Sequence, residues 1–268
     1  MIKIVFFGSD QYSENVLEAL KKSPDLEIIK AIKDKNELQG LTRADFRPDL
    51  GVVASFGALI PQEVINWPKK GILNLHPSLL PKYRGPTPVP TAILNGEKET
   101  GLTIIKIDEK IDHGPIVSQF KETIKPDETS EDLLNRLFTV GAEVLITILP
   151  SYLEGKIELR KQDDSQATYT QKLSRDDGQI DWQKPADYQE RFIRAMFPWP
   201  GAFTNVKLKS PQGGIPSELN NEELKRLKIL KAHLEKNKLI LDQVQLEGKK
   251  PVTWKQFLEG YPQAQLLS

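Results

Sequence analysis

The 268-residue chain has no cysteine, only three histidines and no net formal charge, and each of these scarcities removes a class of function. Without cysteine there is neither a disulfide framework nor a thiolate metal site. The histidines, His76, His113 and His233, are too widely spaced to make a zinc or iron site, which wants three or four such groups. No apolar run approaches the roughly 18 residues of a membrane span, and the opening MIKIVFFGS meets Gly8 too soon for a secretory segment. A cytoplasmic location is therefore expected. A balanced charge argues against holding nucleic acid by overall basicity, although from Gly201 onward 11 Lys or Arg face 7 Asp or Glu and make the tail mildly basic. Internal repeats and low-complexity segments are absent from the sequence.

What is present reads as a soluble α/β protein with 38% hydrophobic and 28% charged residues, long enough for a main domain and a smaller appendage. Short apolar runs at Ile2 to Phe7, Glu27 to Ile32, Leu50 to Ala54 and Gly71 to Leu75 alternate with helical or loop segments. Strands of this kind, buried on both faces, predict a doubly wound, mostly parallel sheet. Thr87 to Leu94 reads as a short helix, and Leu102 to Ile107 and Ile116 to Ile124 as an antiparallel excursion around a loop from Asp108 to Pro115. Ser130 opens a long helix ending near Gly155. A second helix, Tyr188 to Met196, stops at Phe197-Pro198-Trp199-Pro200-Gly201. Three β-like pieces follow, at Ala202 to Leu208, Leu227 to Leu234 and Leu239 to Leu246, with a polar loop from Ser210 to Asn221. The expected division is a catalytic domain over 1–181, a linker over 182–200 and a small β-rich domain over 201–268.

Ligands of doubly wound sheets bind outside the carboxyl ends of the strands. Ser55-Phe56-Gly57 and Asn74-Leu75-His76 both lie at such ends. Asn74 and His76 are two residues apart, so strand alternation sends them to one side. Read alone, His76 also serves as a strand-end cap, and Ser78 invites an acyl-enzyme reading, but no G-x-S-x-G turn exposes it. An amine attacking a carbonyl leaves negative charge on oxygen and positive charge on nitrogen, so it needs an oxyanion donor and a group to manage the proton. Asn74 and His76 supply the first, and Asp112, if it reaches His76, fixes the ring.

Two motifs, N-L-H-P-S-L-L-P-K-Y-R-G at Asn74 to Gly85 and I-D-H-G-P at Ile111 to Pro115, resemble the 10-formyltetrahydrofolate-dependent formyltransferase family, most of all the branch whose acceptor is methionyl-tRNA. VVASFGALIP, NGEKETGLTI, YTQKLSRDDGQIDW, PWPGAF and LEGKKPVTWKQFLEGYP extend the likeness. The resemblance implies a Rossmann-like catalytic domain and a shortened, OB-like C-terminal domain. It implies formyl transfer from 10-formyltetrahydrofolate, without a metal, to the α-amine of methionyl-initiator tRNA, or alternatively to an amino-sugar nucleotide. Asn74 would hold the formyl oxygen, His76 would stabilise the oxyanion, and Asp112 would orient His76 and move the amine proton. The folate would lie against Phe56, Gly57, Leu59 and Ile60, beside Leu79, Leu80 and Pro81, with its edge read in the loop carrying Asp108 and Ile111. Lys82, Arg84, Lys207, Lys209, Lys249 and Lys250, with Lys225, Lys228 and Lys231 behind them, would meet tRNA phosphates. Relatives acting on methionyl-tRNA usually carry an extended basic loop after the second strand; only 15 residues, Lys33 to Arg47, stand here between Ile32 and Pro48.

Overall fold

The computed structural model describes residues 1–43, 45–209 and 222–267, so the expected Ser210 to Asn221 loop lies outside the described residues. The chain forms two compact units. The first comprises Met1–Ala92, Glu97–Pro126 and Asp132–Lys172; the second comprises Ile93–Gly96, Asp127–Glu131 and Leu173–Ser268.

In the first unit, β1 (Ile2–Phe7) buries Ile4 to Phe7 completely or nearly so. Helix α1 (Gln11–Lys22) starts because Asp10 accepts the Ser13 N–H while the Ser13 hydroxyl accepts the Asp10 N–H, a reciprocal cap that satisfies two orphan donors. Its buried stripe is Val16, Leu17 and Leu20. Strand β2 (Leu26–Ile32) lies parallel to β1. The short connection after it forms two single 3₁₀ turns, Lys35–Leu38 and Leu41–Arg43, whose leucines Leu38 and Leu41 join a core with Val5, Phe7, Ile32 and Val53. Thus, where relatives are expected to carry a basic loop and a further βα unit, this chain spends a few residues on closing its core.

Strand β3 (Leu50–Ala54) pairs with β1 on the side opposite β2, and the chain then passes through α2 (Gln62–Ile65) to β4 (Ile72–His76), parallel to β3. Helix α3 (Pro88–Leu94) leads to β5 (Glu99–Lys106) and β6 (Ile116–Thr123), which run antiparallel. The sheet order is β2-β1-β3-β4-β5-β6. It is the mostly parallel, Rossmann-like sheet expected from the sequence, with the antiparallel excursion on one edge. Because the strand order reverses at β1 and β3, their carboxyl ends adjoin, and the Ser9 hydroxyl ties them by donating to the Phe56 carbonyl at 2.9 Å.

Helix α4 (Ser130–Leu153) is long and apolar enough, by length and composition, to cross a membrane. It is the long helix expected from Ser130 to near Gly155, with Glu131, Asp132, Arg136 and Glu143 interrupting its apolar sequence along one side. Its Leu133, Leu137, Phe138, Leu145 and Leu149 are buried, and Gly141 lies so close to Leu102 of β5 that an added Cβ would stand 2.7 Å from that leucine. Ser130, the first helical residue, donates its hydroxyl to the Ala195 carbonyl at 2.7 Å. Near the other end, the Tyr152 hydroxyl donates to the Lys70 carbonyl at 2.9 Å.

The second unit begins at Leu173 and takes in the segment expected as a linker. Ile180 N–H donates to the Phe203 carbonyl at 2.8 Å and the Trp182 indole to Thr204 at 3.0 Å, so residues after 172 are hydrogen-bonded to the small sheet and belong with it. Helix α5 (Ala186–Met196) buries Phe192, Ile193 and Met196. Strands β7 (Phe203–Lys209), β8 (Glu222–Glu235), β9 (Lys238–Leu246) and β10 (Val252–Thr253), helix α6 (Trp254–Gly260) and β11 (Gln265–Leu266) complete the unit. The antiparallel order is β10-β9-β8-β7-β11, the small β-rich, OB-like domain that was expected. Strand β8 outruns its apolar stretch because β7 pairs with its first half and β9 with its second, so a ladder carries it through the charged residues at its start.

Burial pushes the Tyr152 phenol up from its ordinary 10.0 to about 12. The neutral form is therefore favoured by folding, and its contribution is complete below about pH 10 and disappears as pH rises toward 12. The stability advantage of the wild type over Tyr152→Phe should be about 1 kcal/mol at neutral pH, for one hydrogen bond, and should fall by ~1.4 kcal/mol per pH unit across that alkaline window. Urea unfolding of both proteins at stepped pH checks the slope.

Candidate active site

Strand β4 ends on His76, and alternation brings Asn74 and His76 to the same face, as the sequence predicts. His76 is 4% exposed. Its Nε2 lies 2.9 Å from the Tyr83 carbonyl; because a carbonyl only accepts, Nε2 carries the proton. Nδ1 then faces Asp112, with Oδ2 at 3.5 Å. This is too long for a strong hydrogen bond but close enough for charge to be felt. The ring is thus oriented by Tyr83, which sequence reasoning did not single out. Tyr83 has φ 61°, and such a turn is not signalled by any residue type at that position.

Asp112 arrives from the β5–β6 loop with φ 49°, a conformation non-glycine residues rarely hold. Its Oδ2 accepts the Gly85 N–H at 2.8 Å and its Oδ1 the Asn74 amide at 3.3 Å. The three expected groups therefore do converge, on one carboxylate. Gly85 is required twice over: its φ is 111°, and a Cβ there would stand 2.8 Å from the Thr170 carbonyl. Gly114, two residues after Asp112, has no room either, since a Cβ would fall 1.8 Å from the Lys106 carbonyl.

The loop after β4 is anchored from beneath by Thr103 of β5, fully buried, whose hydroxyl donates to the Ser78 carbonyl at 2.6 Å and accepts the Leu80 N–H at 3.1 Å. Ser78 is also fully buried, and its hydroxyl is committed to the Lys82 carbonyl at 2.7 Å. That geometry removes the acyl-enzyme reading, because the hydroxyl is neither exposed nor paired with His76.

Arg84, expected to meet phosphate at the surface, is instead 2% exposed. Its Nε and Nη2 donate to Gln162 Oε1 at 3.2 and 2.8 Å, and Nη2 also meets Asp164 Oδ1 at 2.7 Å. Burial is the largest influence on this guanidinium and acts to lower its pKa, yet the bonds to Asp164 and Tyr169 carry it above its usual value. The Arg84 bond is in turn the main cause holding the Asp164 carboxyl below the usual range. His113 is likewise a structural contact, bonded through Nδ1 to Asp108 at 2.6 Å and through Nε2 to Asp164 at 3.3 Å. Gln162 escaped the sequence reading because a glutamine in a polar stretch carries no periodic signal.

The expected donor-contact residues separate into two groups. Phe56 packs edge-on to Phe7 at 5.8 Å, and Leu80 packs with Ile105 and Ile116, so both side chains fill core instead of lining open surface. Leu59 and Ile111, by contrast, are large apolar residues 77% and 57% exposed. Gly57 turns the chain with φ 69°, Ile60 packs on the core edge, and Leu79 and Pro81 are half-buried. A cleft of about 540 Å³ opens beside the β5–β6 loop between Ile65, Lys70, Lys106 and Asp108; of the donor-contact residues only Asp108 lines it. Lys82, Lys249 and Lys250 are exposed and Lys207 half-buried, while the side chain of Lys209 lies outside the described residues.

Comparison with known proteins bears on what this arrangement does. The formyl transferase family model matches residues 44–149, and the model of the formyl transferase C-terminal domain matches residues 172–262. Methionyl-tRNA formyltransferase of Chloroflexus aggregans is 39% identical over 76% of this chain and 76% of its own length. The same enzyme of Roseiflexus sp. (strain RS-1) is 51% identical over 60% of this chain, and the match spans half of that relative's length. Among solved structures, methionyl-tRNA formyltransferase from Clostridium thermocellum superposes with TM-score 0.68 at 20% identity, covering 92% of this chain and 99% of that one. The N-formyltransferase from Helicobacter canadensis, solved with folinic acid and dTDP-3-aminofucose, gives 0.66 at 22% identity over 94% of this chain and 99% of that one. At those identities the two structures share the fold.

Removing the Arg84 fork leaves the buried Gln162 short of donors and deprives the exposed Asp164 of its guanidinium partner. Arg84→Lys should cost about 3 kcal/mol, because an ammonium cannot serve both partners; chemical denaturation measures it, and a loss under about 1 kcal/mol would show the fork to be dispensable. Since the folded Asp164 pKa is lowered, its contribution is complete above the ordinary carboxylate range and fades as pH falls through the folded value. The stability gap between wild type and Asp164→Asn should accordingly narrow in acid.

Proposed function

This chain belongs to the formyl transferase family, and from that premise we propose that it transfers the formyl group of 10-formyltetrahydrofolate to the α-amine of methionyl-initiator tRNA. The observation that carries the chemistry is the meeting of Asn74, His76 and Gly85 on the Asp112 carboxylate.

The donor supplies a formyl carbon already activated on nitrogen. Attack by the neutral amine sends electrons onto the formyl oxygen and leaves the amine with a proton to lose. The Asn74 amide has two N–H groups, and only one is engaged with Asp112, so the other is available to the formyl oxygen. His76 donates its Nε2–H to the Tyr83 carbonyl and turns its Nδ1 edge to the Asp112 carboxylate, so the ring is held beside the reacting atoms while the Asn74 amide is the donor to the oxyanion. Donors fixed in a closed site stabilise developing charge more strongly than water does, because they need no reorganisation. Asp112 accepts the amine proton and returns it to the folate nitrogen as that bond breaks. Exposed Leu59 and Ile111, from the two loops flanking this set, offer an apolar sandwich for the folate ring, with the backbone near Asp108 available to its polar edge.

The acceptor rests on the relatives, which are named for methionyl-tRNA and matched along most of this chain. In this reading the exposed Lys82, Lys249 and Lys250 meet phosphates, and the buried Arg84 does not. The reading includes a cytoplasmic location, where initiator tRNA and reduced folates meet.

Offered charged initiator tRNA and a 4-amino-4-deoxy sugar nucleotide in parallel, the protein should formylate the tRNA; formylation of the sugar alone overturns the acceptor. His76→Ala and Asp112→Asn should each lower kcat/KM about a hundredfold or more, with both proteins still folded by circular dichroism.

A further inference from the structure

We infer that Gln162 is a positioning residue for formyl transfer, the strap that holds Asp112 in its strained conformation; this rests on the catalytic reading of Asp112 given above. Gln162 is 5% exposed and lies in neither catalytic motif. Its Nε2 donates to the carbonyls of Asp112 and Gly114, both at 2.8 Å. Its Oε1 accepts twice from Arg84. The amide has two donors and two acceptor positions, and all four are in use.

This pattern joins the two motifs through a third segment. Arg84 belongs to the first motif, and its backbone is locked to the third segment, donating N–H to Thr168 at 2.8 Å while its carbonyl accepts from Thr170 at 2.7 Å. Asp112 and Gly114 belong to the second motif. The carbonyl that Gln162 holds is that of Asp112 itself, the residue with φ 49°. Releasing it lets the peptide relax toward negative φ, where the same side chain is redirected and the Gly85 N–H and Asn74 amide lose their acceptor. An amide is suited to the task because one end must donate to two carbonyls while the other accepts from a cation. A glutamate satisfies Arg84 but sets a carboxylate against two carbonyls; a methionine preserves shape and does neither.

The experiment compares Gln162→Glu and Gln162→Met with wild type, using amide hydrogen exchange at Gly85 together with steady-state kinetics. Expected for Gln162→Glu is a Gly85 amide at least tenfold less protected, with amides of the second unit unchanged. With charged initiator tRNA, kcat should fall ten- to a hundredfold while KM for the formyl donor stays within about twofold, the range for loss of a group that orients a reacting one. Gln162→Met should lose as much or more. Unchanged Gly85 protection in a folded Gln162→Glu protein overturns the assignment whatever the activity, and so does a rise in KM with kcat intact. If neither variant folds, the residue is structural and the assignment also falls. Should the wild type prove inactive on tRNA, the proposed function fails, while exchange at Gly85 still decides this inference.

Discussion

A single hydrogen bond, from the Gly85 N–H to the Asp112 carboxylate, closes the candidate site, and much of the first unit is arranged to permit it. Gly85 follows β4 and Asp112 follows its antiparallel neighbour β5, whose carboxyl ends point opposite ways, so only the folding back of the two loops brings these residues near. Near is not enough. Asp112 must adopt a left-handed backbone, Gly85 a backbone that side-chain-bearing residues rarely take, and Gly114 an approach to Lys106 that excludes any side chain. Strain of about 1–3 kcal/mol at a left-handed non-glycine residue persists only where the surroundings over-determine it. Here they do so through Gln162 beneath the loop and Thr103 beneath its counterpart. The energy of folding is thereby converted into the position of one carboxylate.

That conversion explains why the sequence was legible in one register and opaque in another. Strands β1, β3 and β4 were recognisable because burial on both faces demands unbroken apolar runs, and no other element of that length does. The Asn74 and His76 pairing followed from strand alternation alone. Arg84 was misread because arginine is by default an exposed residue; its burial depends on Gln162 and Asp164, some eighty positions away, and nothing local announces such partners. Tyr83 contributes only its carbonyl to His76, and a main-chain acceptor is chemically silent in sequence. Helix α4 was legible as well, because its buried residues recur at helical spacing after the Ser130 start. Resemblance to a family identified the two motifs, whereas the network between them had to be seen.

The short connection between β2 and β3 shows how a fold tolerates loss. A crossover that skips past β1 ordinarily uses a helix to cover the sheet. Here two 3₁₀ turns place Leu38 and Leu41 into the core, and Phe46 packs at a tilt on Trp67, ring centres 5.3 Å apart. The apolar face of the sheet is covered by fewer residues, each more fully used. Loop-closure entropy grows only slowly with length, so brevity by itself gains little; what the turns provide is burial. The site lies at the end of β4 and in the β5–β6 loop and, among the described residues, takes none of its hydrogen bonds from this connection.

The hydrogen bonds of the candidate site are held within one unit of the chain. Every hydrogen bond that fixes Asp112, His76 and Asn74 comes from residues of the first unit: Gly85, Tyr83, Gln162 and, behind it, Arg84. Changes in the surface lysines alter which anion is welcomed and how strongly salt opposes it, without disturbing the carboxylate. A catalytic centre held by buried hydrogen bonds tolerates such revision of its periphery, because in a close-packed interior the positions of its groups are set by their neighbours and not by the surface.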